Sequence, residues 1–310
     1  MRPQDDPVLV WGWPEAHICL GQHQSAMAEL ESGHGLTVVR RPLGGGGVWI
    51  DRSQACLVLV APRGFFPVRT ADWYGHALAP LLDVYADMGW PVRRVGQDVW
   101  LHQRKLAGSG AATIGDAGLV GSSFLLDFPY DAFAAAVAAP SPGFRDWLRE
   151  ALRSQMTSWA EQGSVPDPAW LSLHFRRAAA TRFGWRWEQA LLRDDERAAR
   201  EAWREDVVPD EMLPVRRRVR DGIKLRAGCF LAERQFGADT VRVLTRDGQL
   251  ERIAVSACPQ LPESALAQAG VSPEALAATL ACWMSPGEAA RRAQQVLETA
   301  CFNDGSDDHD

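Results

Sequence analysis

Four consecutive glycines, Gly44-Gly45-Gly46-Gly47, interrupt a strand-like stretch and restrict the fold more than any other feature of this 310-residue chain. A β-branched segment, Leu36-Thr37-Val38-Val39, stands before the run and Val48-Trp49-Ile50 comes after it. A Walker A loop ends in Gly-Lys-Ser/Thr, whereas this run ends in Val48-Trp49, so a P-loop is excluded. A Rossmann turn must open a helix, and Val48-Trp49-Ile50 reads as a strand, so that fold is excluded too. Two readings stay open: a flexible turn, or a cradle in which converging backbone N–H groups hold an anion while Arg40-Arg41 neutralises it. The anion that suits the second reading is a phosphate or an acyl phosphate.

The surrounding pattern is mixed. Short strand patterns at residues 8–11, 17–20, 36–39, 48–50, 55–60, 91–94, 98–101, 106–112 and 119–127 surround helical patterns at 24–32 and 72–88. Strands that pair locally around one or two helices imply an α+β domain. From residue 130 to about 206 the period turns helical, with helices expected at 144–160, 168–183 and 188–204. Beyond a linker bounded by Pro209 and Pro214, three strands are expected at 222–235, 239–245 and 250–256, with Asp247-Gly248 as a hairpin turn. Helices are expected next at 262–269, 273–283 and 286–300, then an acidic tail, 303–310, that is expected to fray. The division expected from this pattern is a larger domain at 1–208 and a small α+β domain at 215–302.

Composition removes several function classes. A formal net charge of −6 argues against a general nucleic-acid binder. No apolar run reaches the ~18–20 residues that cross a bilayer, and the N-terminus has no signal-peptide pattern, so a cytoplasmic protein without a membrane partner is expected. Cys19, Cys56, Cys229, Cys258, Cys282 and Cys301 are scattered without a CxxC pair, and the seven histidines show no ligand spacing. No metal site and no disulfide framework are expected. Cys19 and Cys56 fall in apolar strand patterns and read as small core residues with inert thiols. The 13 tryptophans suit core packing or apolar pockets.

Of 33 basic residues only Lys105 and Lys224 are lysine. Where a generic positive charge serves, this chain writes Arg, so a retained Lys marks a place where a compact amine differs from a planar fork. Lys105 opens Lys105-Leu106-Ala107-Gly108-Ser109, whose small residues allow close backbone approach. It reads either as a surface lysine before a turn or as an ammonium between a carboxylate and an α-phosphate. Asp98 reads either as a solvated strand end or as a group that orients an amine. The run Arg216-Arg217-Arg218-Val219-Arg220 reads as a solvated face or as a surface for an acidic partner.

Taken in order, these segments resemble the lipoate–protein ligase A branch of the biotin/lipoate protein ligase family. The resemblance runs through Gly21-Gln22-His23-Gln24, then Arg40-Arg41-Pro42-Leu43-Gly44-Gly45-Gly46-Gly47-Val48-Trp49-Ile50-Asp51, then Asp98 and Lys105-Leu106-Ala107-Gly108-Ser109. It departs at Ile50 and at Gly121-Ser122, where the family has His and His-Gly, and at Gln97, where it has Asn. The family's first strand and helix are not found before residue 8, and a neighbouring element or partner chain is expected to supply them. The resemblance implies an α+β fold of the biotin/lipoate ligase type, with a mixed sheet, flanking helices and a small accessory domain that closes as a lid from the 209–214 hinge. It implies a ligase that uses ATP and Mg²⁺ to join lipoate to AMP and passes the lipoyl group to a lysine of an acceptor protein. A transferase working through a cysteine thioester, and a non-catalytic binding relative, are the alternatives. By the same resemblance Arg41, Gly44, Gly45, Gly46, Gly47, Val48 and Trp49 bind ATP and lipoyl-AMP, Lys105 bridges acyl carbonyl and phosphate, and Asp98 assists it.

Overall fold

The structure, a computed structural model, describes residues 4–206 and 213–302. Most of the 209–214 linker and the whole of the 303–310 tail lie outside the described residues. The chain packs as two compact units, neither continuous in sequence. Described residues up to 23, from 35 to 129 and from 154 to 213 form the first; residues 24–34, 130–153 and 214–302 form the second. Packing therefore does not follow a cut at 208/215, because two segments of the N-terminal stretch fold with the C-terminal one.

The second unit takes α1 (Ala26–Glu29) from the first of those segments. The first unit holds ten strands: β1 (Val8–Gly12), β2 (His17–Leu20), β3 (Thr37–Arg40), β4 (Val48–Ile50), β5 (Gln54–Pro62), β6 (Val92–Val95), β7 (Asp98–Leu101), β8 (Arg104–Ala107), β9 (Ser109–Ile114) and β10 (Ala117–Leu125). They form an antiparallel sheet of order β1-β5-β10-β9, an antiparallel sheet β6-β7-β8, and a mixed sheet β3-β2-β4 in which β2 runs parallel to β3 and antiparallel to β4. On β5 the alternation of the pleat buries Ala55, Leu57, Leu59 and Ala61 while Val58 and Val60 stay half-buried. Leu57 packs in one core with Leu78, Leu81, Val84, Phe124, Trp159 and Phe175.

Helices α2 (Thr70–Ala77) and α3 (Ala79–Asp87) stand where one helix is expected over 72–88. Pro80 has no N–H to continue the ladder and is tolerated only in the first turn of a new helix, so Leu78 ends one helix and caps the next. The strand pattern at 106–112 is likewise divided, between β8 and β9, at Gly108. Helix α6 (Pro168–Phe183) matches expectation; Asp167 caps it by accepting from the amides of Ala169 and Trp170, and Gly184 ends it at φ 70°. Helix α7 (Asp194–Asp206) starts later than expected. Much of the tryptophan excess is core: Trp73 and Trp159 are almost fully buried, and Phe66 stacks on Trp73 with centroids 4.6 Å apart.

The second unit joins α1, α4 (Tyr130–Ala136) and α5 (Pro142–Gln155) to a four-stranded antiparallel meander, β11 (Gly222–Arg226), β12 (Cys229–Phe236), β13 (Asp239–Arg246) and β14 (Gln249–Val255). The stretch 222–235, expected as one strand, is a hairpin turning at Gly228, whose φ of 72° only glycine adopts without strain. Asp247 and Gly248, with φ of 49° and 81°, make the turn expected of them. Helices α8 (Pro273–Leu280) and α9 (Pro286–Thr299), each capped by a serine side chain, cover the meander, while 262–269 forms turns. Helix α5 ends at Gln155 because the next residues run extended in the first unit: Thr157 N–H donates to the Lys105 carbonyl and Trp159 N–H to that of Leu125, both at 2.9 Å. No helix among the described residues is long and apolar enough to cross a membrane. All six cysteines are free thiols.

Candidate functional site

The glycine run of the first unit is a shaped loop. Arg41 holds it from one side: Nη2 donates to the carbonyls of Gly44 at 2.8 Å and Gly46 at 2.7 Å, and Nη1 to that of Cys19 at 2.7 Å. In a trans peptide the N–H points opposite to the carbonyl it is bonded through, and no cis peptide occurs among the described residues. The N–H groups of Gly45 and Gly47 therefore point away from Arg41 together, the arrangement of an anion cradle. Arg41, expected to meet an anion directly, is committed in this structure to shaping the loop. Gly45 has a φ of 95°, and a methyl group on Gly21 would collide with the Gly45 carbonyl oxygen. Methyl groups at Gly44 and Gly46 would meet nothing within 4 Å, so one flank of the loop is open.

Lys105 and Asp98 lie on adjacent strands, β8 and β7, with Nζ 3.0 Å from Oδ1. The carboxylate is buried, with 3% of the side chain exposed, against 20% for the lysine. Oδ1 receives no aligned hydrogen bond, so charge holds the pair and Lys105 keeps N–H vectors for other acceptors. A Cβ on Gly108 would stand 3.0 Å from Nζ and 3.8 Å from Oδ1. Glycine here keeps space against the ion pair. Ser122 Oγ donates to the Gly108 carbonyl at 3.0 Å, and Ser109 Oγ donates to the carbonyl of Gln97, next to Asp98. Both serines fix the backbone around the pair.

Leu43 joins the two parts. Gly110 on β9 pairs with Gly121 on β10, and Leu43 Cδ1 lies 3.2 Å from where a Cβ of Gly110 would be and 3.8 Å from that of Gly121. The loop thus sits against the glycine pair, and Gly108 is two residues from Gly110. Of the other expected residues, Val48 is exposed. Trp49 is buried, its indole N–H donating to Asp51 at 2.6 Å, while Gln54 bonds the Trp49 carbonyl at 2.6 Å. Asp51 also accepts from Ser53 N–H at 2.8 Å.

Residue type alone assigns no role to Gly21 or Leu43, since a glycine's close approach is invisible until its neighbour is known. Cys19 is a correction. His17 and Cys19 share one face of β2, and His17 and Arg41 hold the half-buried Cys19 thiol below its ordinary value. The period-2 spacing His-x-Cys is the signal that could have found them. Cys56 keeps its expected character: burial pushes its thiol up to about 12. In the second unit, Arg217 is half-buried and donates to the carbonyls of Ala28, Ala138 and Gly222, so it holds the fold together, whereas Arg216 and Arg220 are exposed beside a cleft of about 750 Å³.

No group of three His, Cys, Asp or Glu that could hold a metal occurs among the described residues. The sequence model of the lipoyl protein ligase A/B catalytic domain matches residues 1–171. No curated protein sequence matches the chain. Among solved structures, the bipartite lipoate protein ligase of Thermoplasma acidophilum, studied with its E2 lipoyl domain, superposes with a TM-score of 0.61 at 18% identity, covering 66% of this chain and 82% of its own. A lipoate–protein ligase A bound with ATP gives 0.56 at 16% identity, over 66% of this chain and 84% of its own. LipL1 of P. falciparum, in complex with lipoate, gives 0.53 at 12% identity over 95% of this chain and 88% of its own, so the similarity in fold extends past residue 210. The fold is of the lipoate ligase type.

Proposed function

The chain belongs to the lipoyl protein ligase A/B catalytic-domain family, and from its site we propose an ATP-dependent lipoate–protein ligase. The observation that carries this reading is the half-open Lys105–Asp98 pair beneath Gly108, beside a loop whose amides face one way. In the first half-reaction a lipoate carboxylate oxygen attacks the α-phosphorus of ATP, and pyrophosphate leaves. Lys105, held by Asp98, lies between the two anions and neutralises the charge they share in the transition state. The N–H groups of Gly45 and Gly47 donate to phosphate oxygens. In the second half-reaction the amine of an acceptor lysine attacks the acyl carbonyl, and AMP leaves.

Mg²⁺ carried on the nucleotide would supply further neutralisation of phosphate charge. It binds phosphates with at most one or two carboxylates, and the site offers no ready-made cage among the described residues. The exposed Arg216 and Arg220 are suited to an acidic acceptor domain. The expected closure of 215–302 as a lid takes a different form, because that stretch is bonded to 24–34 and 130–153 and any movement carries those segments along.

The test is a mixture of protein, ATP, Mg²⁺ and lipoate, assayed for pyrophosphate and lipoyl-AMP. The expected result is both products, and lipoylation once an acceptor domain is added. Transfer from an acyl-carrier-protein thioester without ATP would overturn the adenylating reading.

A further inference from the structure

The mixed sheet of the first unit carries a cluster that the proposed reaction does not use. On β2, Ile18 and Leu20 are fully buried while His17 and Cys19, on the other face, are half-buried. The His17 ring is anchored by Nδ1 at 2.7 Å from the Glu15 carbonyl and stands beside the Cys19 thiol on the same face of β2. Arg41 Nη1 stands 3.8 Å from Cys19 Sγ while donating to the Cys19 carbonyl. Burial pushes this thiol up, but neighbouring His17 and the Arg41 charge outweigh it and hold Cys19 below the ordinary thiol value. His17 is raised by the same pairing. Cys229, like Cys56, is pushed up to about 12 by burial, and Cys301 is raised.

Cys19 lies on the carbonyl side of the glycine loop, with Arg41, opposite the direction of the Gly45 and Gly47 amides. That position does not suit an acyl carrier. It suits control of the loop, because one guanidinium ties Cys19, Gly44 and Gly46 together.

We propose that Cys19 is a modification site for hydrogen peroxide and for soft electrophiles, and that its adduct draws Arg41 off the Gly44 and Gly46 carbonyls and releases the loop. With peroxide, the Cys19 sulfur attacks one oxygen, the O–O bond breaks as an S–O bond forms, and the departing hydroxide takes a proton from His17 to leave as water. Sulfur is oxidised by two electrons and peroxide is reduced. The new oxygen, bonded to a sulfur 3.8 Å from Arg41, competes with three carbonyls for one guanidinium.

The test uses the full chain without any ligand, so it is independent of the ligase reading. Protein at pH 7 is treated with limiting iodoacetamide, or with peroxide followed by dimedone, and mapped by peptide mass. Cys19 is expected to be labelled about tenfold faster than Cys56 and faster than the exposed Cys282, with His17→Ala slowing it about tenfold. The backbone order parameters of residues 44–47, read by 15N relaxation, are expected to fall in the labelled protein. Labelling of Cys282 ahead of Cys19 overturns the proposal. So does labelled Cys19 with unchanged order parameters at 44–47. If the His17 variant does not fold, the competition among wild-type cysteines decides.

Discussion

Buried ion pairs in the two units are built on different cations. In the second unit Arg292, 2% exposed, reaches Asp239 at 2.7 Å, Glu288 at 2.8 Å and Gln295 at 2.9 Å. Arg226, 4% exposed, meets both oxygens of Asp247, at 3.0 and 3.1 Å. A guanidinium fork used this way has its donors filled by the protein and none aimed at a ligand. In the first unit Lys105 touches Asp98 through one oxygen and stays partly exposed. A lysine in a chain that otherwise writes arginine thus leaves its pair open. Rarity alone is not enough, since Lys224 is as rare and lies on β11 of the second unit.

If the second unit's polar contacts are structural, cutting through that unit is the harshest test. Arg145 pairs with Glu31, Arg242 with Glu233 at 2.6 Å, and Glu233 accepts from Ser141 at 2.9 Å, tying 24–34 and 130–153 to the C-terminal stretch. A chain ending at Asp206 leaves Phe133, Phe144 and Leu148 without the partners of their unit. We expect it to aggregate and lose both half-reactions. A folded, monomeric product by circular dichroism and gel filtration that still transfers from synthetic lipoyl-AMP would restore the idea of a separable lid.

Closing the open pair is the next test. Lys105→Arg keeps a cation against Asp98 and is expected to unfold within about 1 kcal/mol of wild type, yet to lose adenylation by roughly 10²–10³-fold, the usual cost of removing one charge-stabilising donor. Pyrophosphate release near the wild-type rate would show that openness is not the point. Gly108→Ala is milder. Its methyl would stand 3.0 Å from Nζ, the mobile end of a side chain, so folding is expected to survive while adenylation falls about tenfold. An unchanged rate would mean that the space kept by Gly108 is not used.

In the second unit the expectation reverses. Arg292→Met removes two ion pairs whose carboxylates are 29% and 34% exposed, so solvent takes up part of the loss and roughly 1–3 kcal/mol of stability should go. Pyrophosphate release by the folded fraction should not change, and a fall there would tie Arg292 to the chemistry.

The sequence shows more of the site than of the wiring. Order and spacing place the glycine run, Asp98 and Lys105, because each is a local pattern written within a few residues. The α+β class, β2, β4, α6 and the Asp247-Gly248 turn are legible for the same reason. The features that escape a reading by hydrophobic period are single-residue breaks that leave the period unchanged and contacts between residues far apart in the chain. Gly228 splits a strand whose hydrophobic pattern continues through it, Pro80 divides a helix whose period does not change, and residues 156–160 leave α5 because the backbone of Lys105 and Leu125 offers better partners. Cys19 looks like Cys56 in the sequence because both occupy apolar strands. Burial acts on both, and only the fold brings the Arg41 charge to one of them.

The smallest effect is a pH dependence at the hairpins of the second unit. Arg226 donates to the Ala227 carbonyl and to both oxygens of Asp247, and Asp247 N–H donates to the Gly228 carbonyl at 2.7 Å, so one carboxylate joins two turns. The Arg226 hydrogen bond, opposed by slight burial and aided by the charges of Arg226 and Arg246, holds Asp247 below the ordinary aspartate value. A carboxyl depressed in the folded state contributes stability above its unfolded pKa, about 3.9, and loses it as pH falls through the folded value. Asp247→Asn keeps a side chain that tolerates φ of 49° and removes only the charge. Urea midpoints should therefore place wild type slightly above Asp247→Asn at pH 6, with the gap closing as the pH drops from about 4 toward 2. Because Asp247 is 65% exposed, the gap should be small and should shrink in high salt. A gap that stays constant down to pH 2 would place the effect in the turn's backbone and not in the Arg226 fork.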